Sequence, residues 1–297
     1  MIHYIQSKST TEMTENVFKN NSSELIYSLI QTRLSKKQMD WMKTVMLFEN
    51  ETLFFQNFRR ISQVIPSVSP EWSSSEKITL EQLYPGLTSG RWNLQQFCQC
   101  LLMVCVPEDQ NIAIVKKLTQ SADISELISI YKGIFFLENA YEFVPLVEEG
   151  IRTNITSVFD AIALLNPFAA RYLPQHSWNQ LVLKALLMGR PLYQIINLDL
   201  RKNEQLAFIT TGYIHERWSE RKTVSPEIWR LMEGFVNREI TSDLLKVIES
   251  GDSLSKHAAI IVLRESASNT CNNILRPINT TLWNYIGEQY YIQNKEL

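Results

Sequence analysis

The fold is decided by three neighbouring runs: EGIRTNITSVFDAIALLNPF (149–168), SWNQLVLKALLMGRPLYQIINLDLRKN (177–203) and LAFITTGYIHERWSERKTVSPEIWR (206–230). Apolar residues recur at three- and four-residue spacing in each, the period of helices that bury a face. Few charges interrupt them, so each charge must find a partner or a ligand to offset its desolvation. Across the whole chain, 9 glycines and 10 prolines in 297 residues are about half the usual share, too few for the turns of a sheet-rich chain. The reading is all-α: a multi-helix layered or superhelical array, HEAT-like, with no substantial sheet.

Charge and cysteine use exclude several function classes. Lys and Arg number 29 against 31 Asp and Glu, so no net field draws nucleic acid or anionic lipid. Cys98, Cys100 and Cys105 share one apolar run and Cys271 stands apart, which is neither a disulfide framework nor a zinc pattern. Core cysteines in a reducing compartment are expected, with no metal and no cofactor. The N-terminus lacks the apolar stretch of a secretory signal, and no run approaches the roughly 20 apolar residues that span a bilayer. A cytoplasmic protein without direct membrane insertion follows. Sequons at Asn21, Asn50, Asn154 and Asn279 carry no weight in that setting.

Along the chain, residues 1–23 are polar and predict a disordered leader, followed by one helical domain over 24–297. Residues 66–91 hold most of the local breakers and predict a long connection with one short helix started by Thr79 and Gln82. Within it GLTSGR (86–91) lacks the spacing and the Lys-Ser/Thr ending of a phosphate loop. Asp123 and Glu126 form a capping box ahead of LISIYKGIFF. Residues 241–276 predict a HEAT-like helix pair with Ala258 and Ala259 as its small-residue contact, and the aromatic TLWNYIGEQYY docks on the body or on a second subunit.

Candidate ligand-binding residues come from the charges inside apolar helices. On one helix through Ile151, Ile155, Val158, Ile162 and Leu165, Arg152, Thr156 and Asp160 fall in a stripe at the edge of the core face. Arg152 and Asp160 are then about 12 Å apart along the axis, suiting either an anion or hydroxyl clamp or two inter-helix salt bridges. Lys184 is the only charge of SWNQLVLKALLM, so it is either a desolvated amine or a lysine neutralised by an acid such as Asp160 or Glu216. Ser177 and Gln180 read as a capping box, leaving Asn179 as the ligand candidate. His215, Glu216 and Arg217 point in different directions on their helix. His215 is a general base or a bonded core histidine; HERWS is not a zinc HExxH motif.

These same residues carry a resemblance. GIRTN (150–154), FDAIALLNPF (159–168), WNQLVLKAL (178–186), LYQI with LDLR, and HERW followed by SPEIWRL resemble the EboA family, most strongly between Gly150 and Leu231. Leu165 and Phe168 stand where the family pattern expects a basic residue and a tyrosine. The resemblance implies a mostly helical protein from bacterial clusters that make or move a secondary metabolite, encoded beside a prenyltransferase-like membrane protein and sugar-phosphate-type enzymes. It transfers no catalytic residue. The expected function is a non-catalytic component that binds a small-molecule intermediate or a protein of the same pathway, reaching a membrane only through a partner. The ligand-binding candidates are Arg152, Asn154, Asp160, Asn179, Lys184, His215, Glu216 and Arg217. The alternatives are an enzyme that uses Arg152, Asp160, His215 and Lys184, and a HEAT-like protein scaffold.

Overall fold

The computed structural model describes residues 21–266 in full, the backbone of 267–271, and residues 280–294. All regular structure among the described residues is helical. Residues 1–20 of the expected leader lie outside the described residues, as does the side chain of Cys271, whereas Asn21 to Ser23 already belong to the first helix. The chain divides into two compact units, Met1–Tyr172 and Leu173–Leu297.

In the first unit, α1 (Asn21–Gln31), α2 (Lys36–Val45), α3 (Glu51–Val64) and α4 (Ser74–Leu83) lead into α5 (Leu94–Val104), which is buried along nearly its whole length. Around α5 pack α1, α3 and α7 (Ile124–Gly133); α6 (Glu108–Ser121) packs on α7. An aromatic cluster closes this core. Trp92 stacks on Phe97 with centroids 4.8 Å apart, and Tyr84 stacks on Phe136 at 5.1 Å. Burial pushes the Cys98 thiol up to about 12, so it serves as a small apolar side chain. The Asp123/Glu126 capping box is present, with 2.9 and 3.0 Å bonds. The 66–91 segment differs from expectation. Its helix starts six residues earlier, at Ser73, where Glu76 completes the capping box and Arg33 lies 2.8 Å from the Glu76 carboxylate. Bonds from the Ser73 amide and from Arg33 hold Glu76 down at about 2.

The expected continuous helix from Ile151 to Leu165 is two helices, α8 (Val144–Ile151) and α9 (Thr156–Ala163). The apolar spacing runs on across the join, but Arg152 is the C-cap of α8, and Thr153 Oγ1 accepts from the Ile155 amide at 3.2 Å. Such side-chain-to-backbone bonds compete with helix continuation. A short α10 (Pro167–Tyr172) ends the unit.

The second unit contains α11 (Gln175–Leu187), a 3-10 turn (Leu192–Gln194), α12 (Leu198–Arg201), α13 (Glu204–Ser219), a longer 3-10 helix (Pro226–Met232), α14 (Arg238–Ser250), α15 (Ser253–Cys271) and α16 (Thr280–Asn294). The capping box expected at Ser177 and Gln180 is absent: α11 begins two residues before Ser177, after Pro174, and Ser177 is buried inside the helix. Helix α14 packs on α15, on which Ala258 and Ala259 are both fully buried. It is one helical hairpin, and a repeat array needs at least three units. The aromatic C-terminal helix α16 docks on its own unit, burying Trp283, Ile286 and Gly287.

Candidate functional site

The GIRTN and LLNPF motifs sit where helices of the first unit pack closely. A Cβ on Gly150 would lie 2.6 Å from the Tyr131 hydroxyl and 2.8 Å from Ile162 Cδ1, so only glycine lets α8 approach α7 and α9 this closely. Asn166 is buried. Its Nδ2 donates to the Tyr131 and Ala161 carbonyls at 3.1 and 2.8 Å, and its Oδ1 accepts from the Phe168 amide at 2.9 Å. Of the candidates in this unit, Arg152 and Asn154 are exposed in the turn between α8 and α9, and Asp160 is half-buried on α9. The GLTSGR loop is organised by an internal anion. The Glu81 carboxylate accepts from the Gly86 and Thr88 amides at 2.6 and 2.8 Å and from the Thr88 hydroxyl at 2.5 Å. The place where a phosphate would bind is filled by the protein's own side chain.

This unit also has two open clefts. One of about 370 Å³ is lined by Arg33, Val68, Pro70, Glu71 and Leu94. Its Arg33 is fixed by the Glu71 carbonyl at 2.7 Å and by the Trp72 ring at 5.0 Å. The other, about 500 Å³, is acidic, with Glu108, Asp109 and Glu142 on its wall. Neither is lined by a candidate residue. No group of three or more His, Cys, Asp or Glu side chains among the described residues is arranged for a metal.

In the second unit, Asn179 bonds to the residues that start α13. It exchanges amide bonds with Asn203 at 2.8 and 3.2 Å, donates to Gln205 at 3.3 Å and accepts from Gln175 at 3.1 Å, while Asn203 caps α13 by accepting the Leu206 amide. Lys184 is half-buried, and desolvation lowers its basicity. His215 Nε2 lies 2.6 Å from Asp243, whose side chain is buried, and its Nδ1 lies 3.7 Å from Glu239. Glu216 is exposed. Arg217 donates through Nε and Nη2 to the Thr223 carbonyl at 3.2 and 2.9 Å, closing the turn after α13. His215 therefore joins α13 to α14, Asn179 joins α11 to α13, and Arg217 is turned back on its own loop. These three side chains meet different partners.

The densest polar cluster involves none of the candidates. Arg230 is 3% exposed and grips Asp199 through Nε and Nη2 at 2.7 and 2.5 Å, while its Nη1 donates to Asn284 at 3.2 Å. Thr280 adds a 3.0 Å bond to Asp199. Beside them Lys202 pairs with Glu233 at 2.6 Å, and Trp283 Nε1 donates to the same carboxylate at 3.2 Å. Burial alone would raise the Asp199 carboxyl; the guanidinium bonded to it overrides that and leaves it below the ordinary range. Two cations and two anions thus neutralise one another inside the fold. Glu227 stands apart. It accepts from the Leu192 and Tyr193 amides at 3.2 and 2.6 Å, and burial pushes its carboxyl up to about 7. A Cβ on Gly287 would come within 2.5 Å of Glu227 Oε1, so α16 lies directly against the carboxylate.

Neither Glu227 nor Arg230 is among the candidates drawn from the sequence. The available signal was two charges spaced between Pro226, Ile228, Trp229, Leu231 and Met232, all of which are buried. The family model described as metabolite traffic protein EboA matches residues 22–233. The chain belongs to the EboA family. Matched EboA residues supply Asp199, Lys202, Glu227, Arg230 and Glu233, whereas Thr280, Trp283, Asn284 and Gly287 lie beyond the match. No curated protein and no solved structure matches the chain. No described helix is long and apolar enough to cross a membrane.

Proposed function

We propose that this EboA-family chain is a non-catalytic cytoplasmic component of a bacterial secondary-metabolite pathway, binding a small-molecule intermediate or a pathway protein and passing it on. The observation that carries this reading is the internal neutralisation of the buried charges. Arg230 is spent on Asp199 and Lys202 on Glu233, with 2.5–2.7 Å contacts. Those groups act as architecture, and recognition falls to side chains nearer the surface. Arg152 and Asn154, exposed in a turn, offer donors to an anionic or hydroxylated ligand. Asp160 is a further candidate contact within the first unit; within the second, taken by itself, Lys184, His215, Glu216 and Arg217 are candidate contacts, and Asn179 contributes by fixing the start of α13.

The test is mass spectrometry of small molecules that copurify with the full chain from its native host, against folded Arg152→Ala and Lys184→Met variants, one for each unit. The expected result is a metabolite on the native protein that is depleted at least about tenfold on one of the two variants. Turnover of that purified metabolite by the chain alone would overturn the non-catalytic reading. A native protein that carries no metabolite and retains no pathway protein in reciprocal pull-downs would overturn the binding role.

A further inference from the structure

Helix α13 has two faces of different character. Leu206, Ala207, Thr210, Thr211 and Ile214 are buried against the second unit. Glu204, Phe208, Gly212 and Glu216 follow at four-residue intervals on the other side, and all are exposed. Four-residue spacing stacks them in one stripe. Phe208 is 76% exposed and Ile209, at the edge of the stripe, 39%. A Cβ added to Gly212 would meet nothing within 4 Å, so no contact within the fold requires glycine there, although glycine weakens a helix interior relative to alanine. An outward aromatic followed one turn later by an outward glycine makes a knob beside a shallow groove, the relief into which a second helix packs.

The charges at the ends of the stripe select the occupant. Glu204 and Glu216 lie about 18 Å apart along the axis. The nearby bases are engaged elsewhere: Arg217 on the Thr223 carbonyl, and Lys222 on Glu220 at 2.7 Å. Antiparallel pairing with a second copy, centred on this stripe, would set Glu204 against Glu216. Parallel pairing would set each acid against itself. Both arrangements juxtapose like charges, and an anionic lipid surface is repelled for the same reason.

We propose that the outward face of α13 is a docking surface for an amphipathic basic helix of another protein. The partner's apolar side chains cover Phe208 and Ile209, its backbone approaches over Gly212, and Lys or Arg residues about three turns apart meet Glu204 and Glu216. This deepens the traffic reading by naming a class of partner, and it rests on that reading only in taking the partner to be a pathway component.

The test uses the full chain and two fluorescent helical peptides of 18 residues each, by design. Both carry the same Leu/Ala stripe, flanked by Lys in one and by Glu in the other. Anisotropy titration is expected to show the Lys peptide binding at least tenfold tighter than the Glu peptide. Phe208→Ala and Gly212→Leu should each weaken the Lys peptide at least tenfold, and Glu204→Lys with Glu216→Lys should reverse the preference. All four positions are exposed, and circular dichroism checks the fold; the charge-reversed variant decides the matter if an apolar variant unfolds. Equal affinity for the two peptides, binding of neither, or indifference to the charge reversal overturns the proposal. So does self-association of the native chain that Phe208→Ala abolishes, since the occupant is then a second copy. Phe208→Ala and Gly212→Leu touch no proposed cargo contact, and copurifying metabolite is measured on these two variants, so docking lost with cargo retained separates the two readings.

Discussion

Replacing Arg230 with methionine keeps the length of the side chain and removes its charge. The change deletes the 2.7 and 2.5 Å bonds to Asp199 and the 3.2 Å bond to Asn284. Breaking a buried pair by removing one partner costs about 3–5 kcal/mol, because the other ion is left uncompensated. Asp199 retains the Thr280 hydroxyl at 3.0 Å and Lys202 at 3.9 Å, which places the expected loss near the lower end, at about 3 kcal/mol. That is a large share of a typical folding free energy of about 5–15 kcal/mol. Urea unfolding of the full chain measures it, with the Trp283 indole N–H resonance reporting the second unit because that group donates to Glu233. Asp199→Asn and the double variant complete a thermodynamic cycle, in which a coupling of about 2 kcal/mol is expected for residues in direct contact. A loss below about 1 kcal/mol for Arg230→Met, or single losses that simply add, would refute the claim that this pair is a closed electrostatic unit.

Glu227 has a folded pKa of about 7, above its ordinary 4.5, so the fold favours the protonated form: its contribution is fully present below the unfolded value and is lost as pH rises through about 7. Glu227→Gln should flatten the fall in urea midpoint between about pH 5 and about pH 8, and an unchanged slope would show that burial is not what shifts this group. Gly287→Ala drives a methyl to within 2.5 Å of Glu227 Oε1 and should destabilise by about 1–3 kcal/mol, whereas Gly212→Ala meets open space and should stabilise by about 0.5–1 kcal/mol; a fall in melting temperature for both would contradict the open space at Gly212, and a rise for both the close contact at Gly287. Asn166→Ala orphans the Phe168 amide and two carbonyls and should cost about 2–4 kcal/mol, read from the urea midpoint; a loss under about 0.5 kcal/mol would mean the three bonds do not hold α10.

Helical class and several helix starts were legible because their signals are local: the Asp123/Glu126 box sits three residues apart and needs nothing else. The same locality misleads where one pattern fits twice. Ser73 with Glu76 and Thr79 with Gln82 both spell a capping box, and only the first is backed by Arg33 from another helix. Apolar periodicity ran unbroken from Ile151 to Leu165, yet the chain leaves the helix at Arg152, a choice made by close packing at Gly150 and the Thr153 turn. Residues 206–230 read as a helix that buries one face, but the spacing alone does not place Phe208, which faces outward. The Asp199–Arg230 and Lys202–Glu233 pairs each span 31 residues, and no local period announces a partner at that distance.

The Asp199–Arg230 and Lys202–Glu233 pairs of the second unit also bear on which part of the chain is mechanically self-sufficient. The family-model match covers residues 22–233, but Asp199, Arg230 and Glu233 are sealed by Thr280, Asn284 and Trp283, and Glu227 is covered by Gly287. A chain cut at the edge of the family region would therefore lose the stopper from a vessel of charge, admitting water to groups whose mutual attraction depends on its exclusion. Any EboA relative that keeps those ions needs a closure of its own, and a segment transplanted into another protein must carry residues 280–294 along with the part that looks familiar.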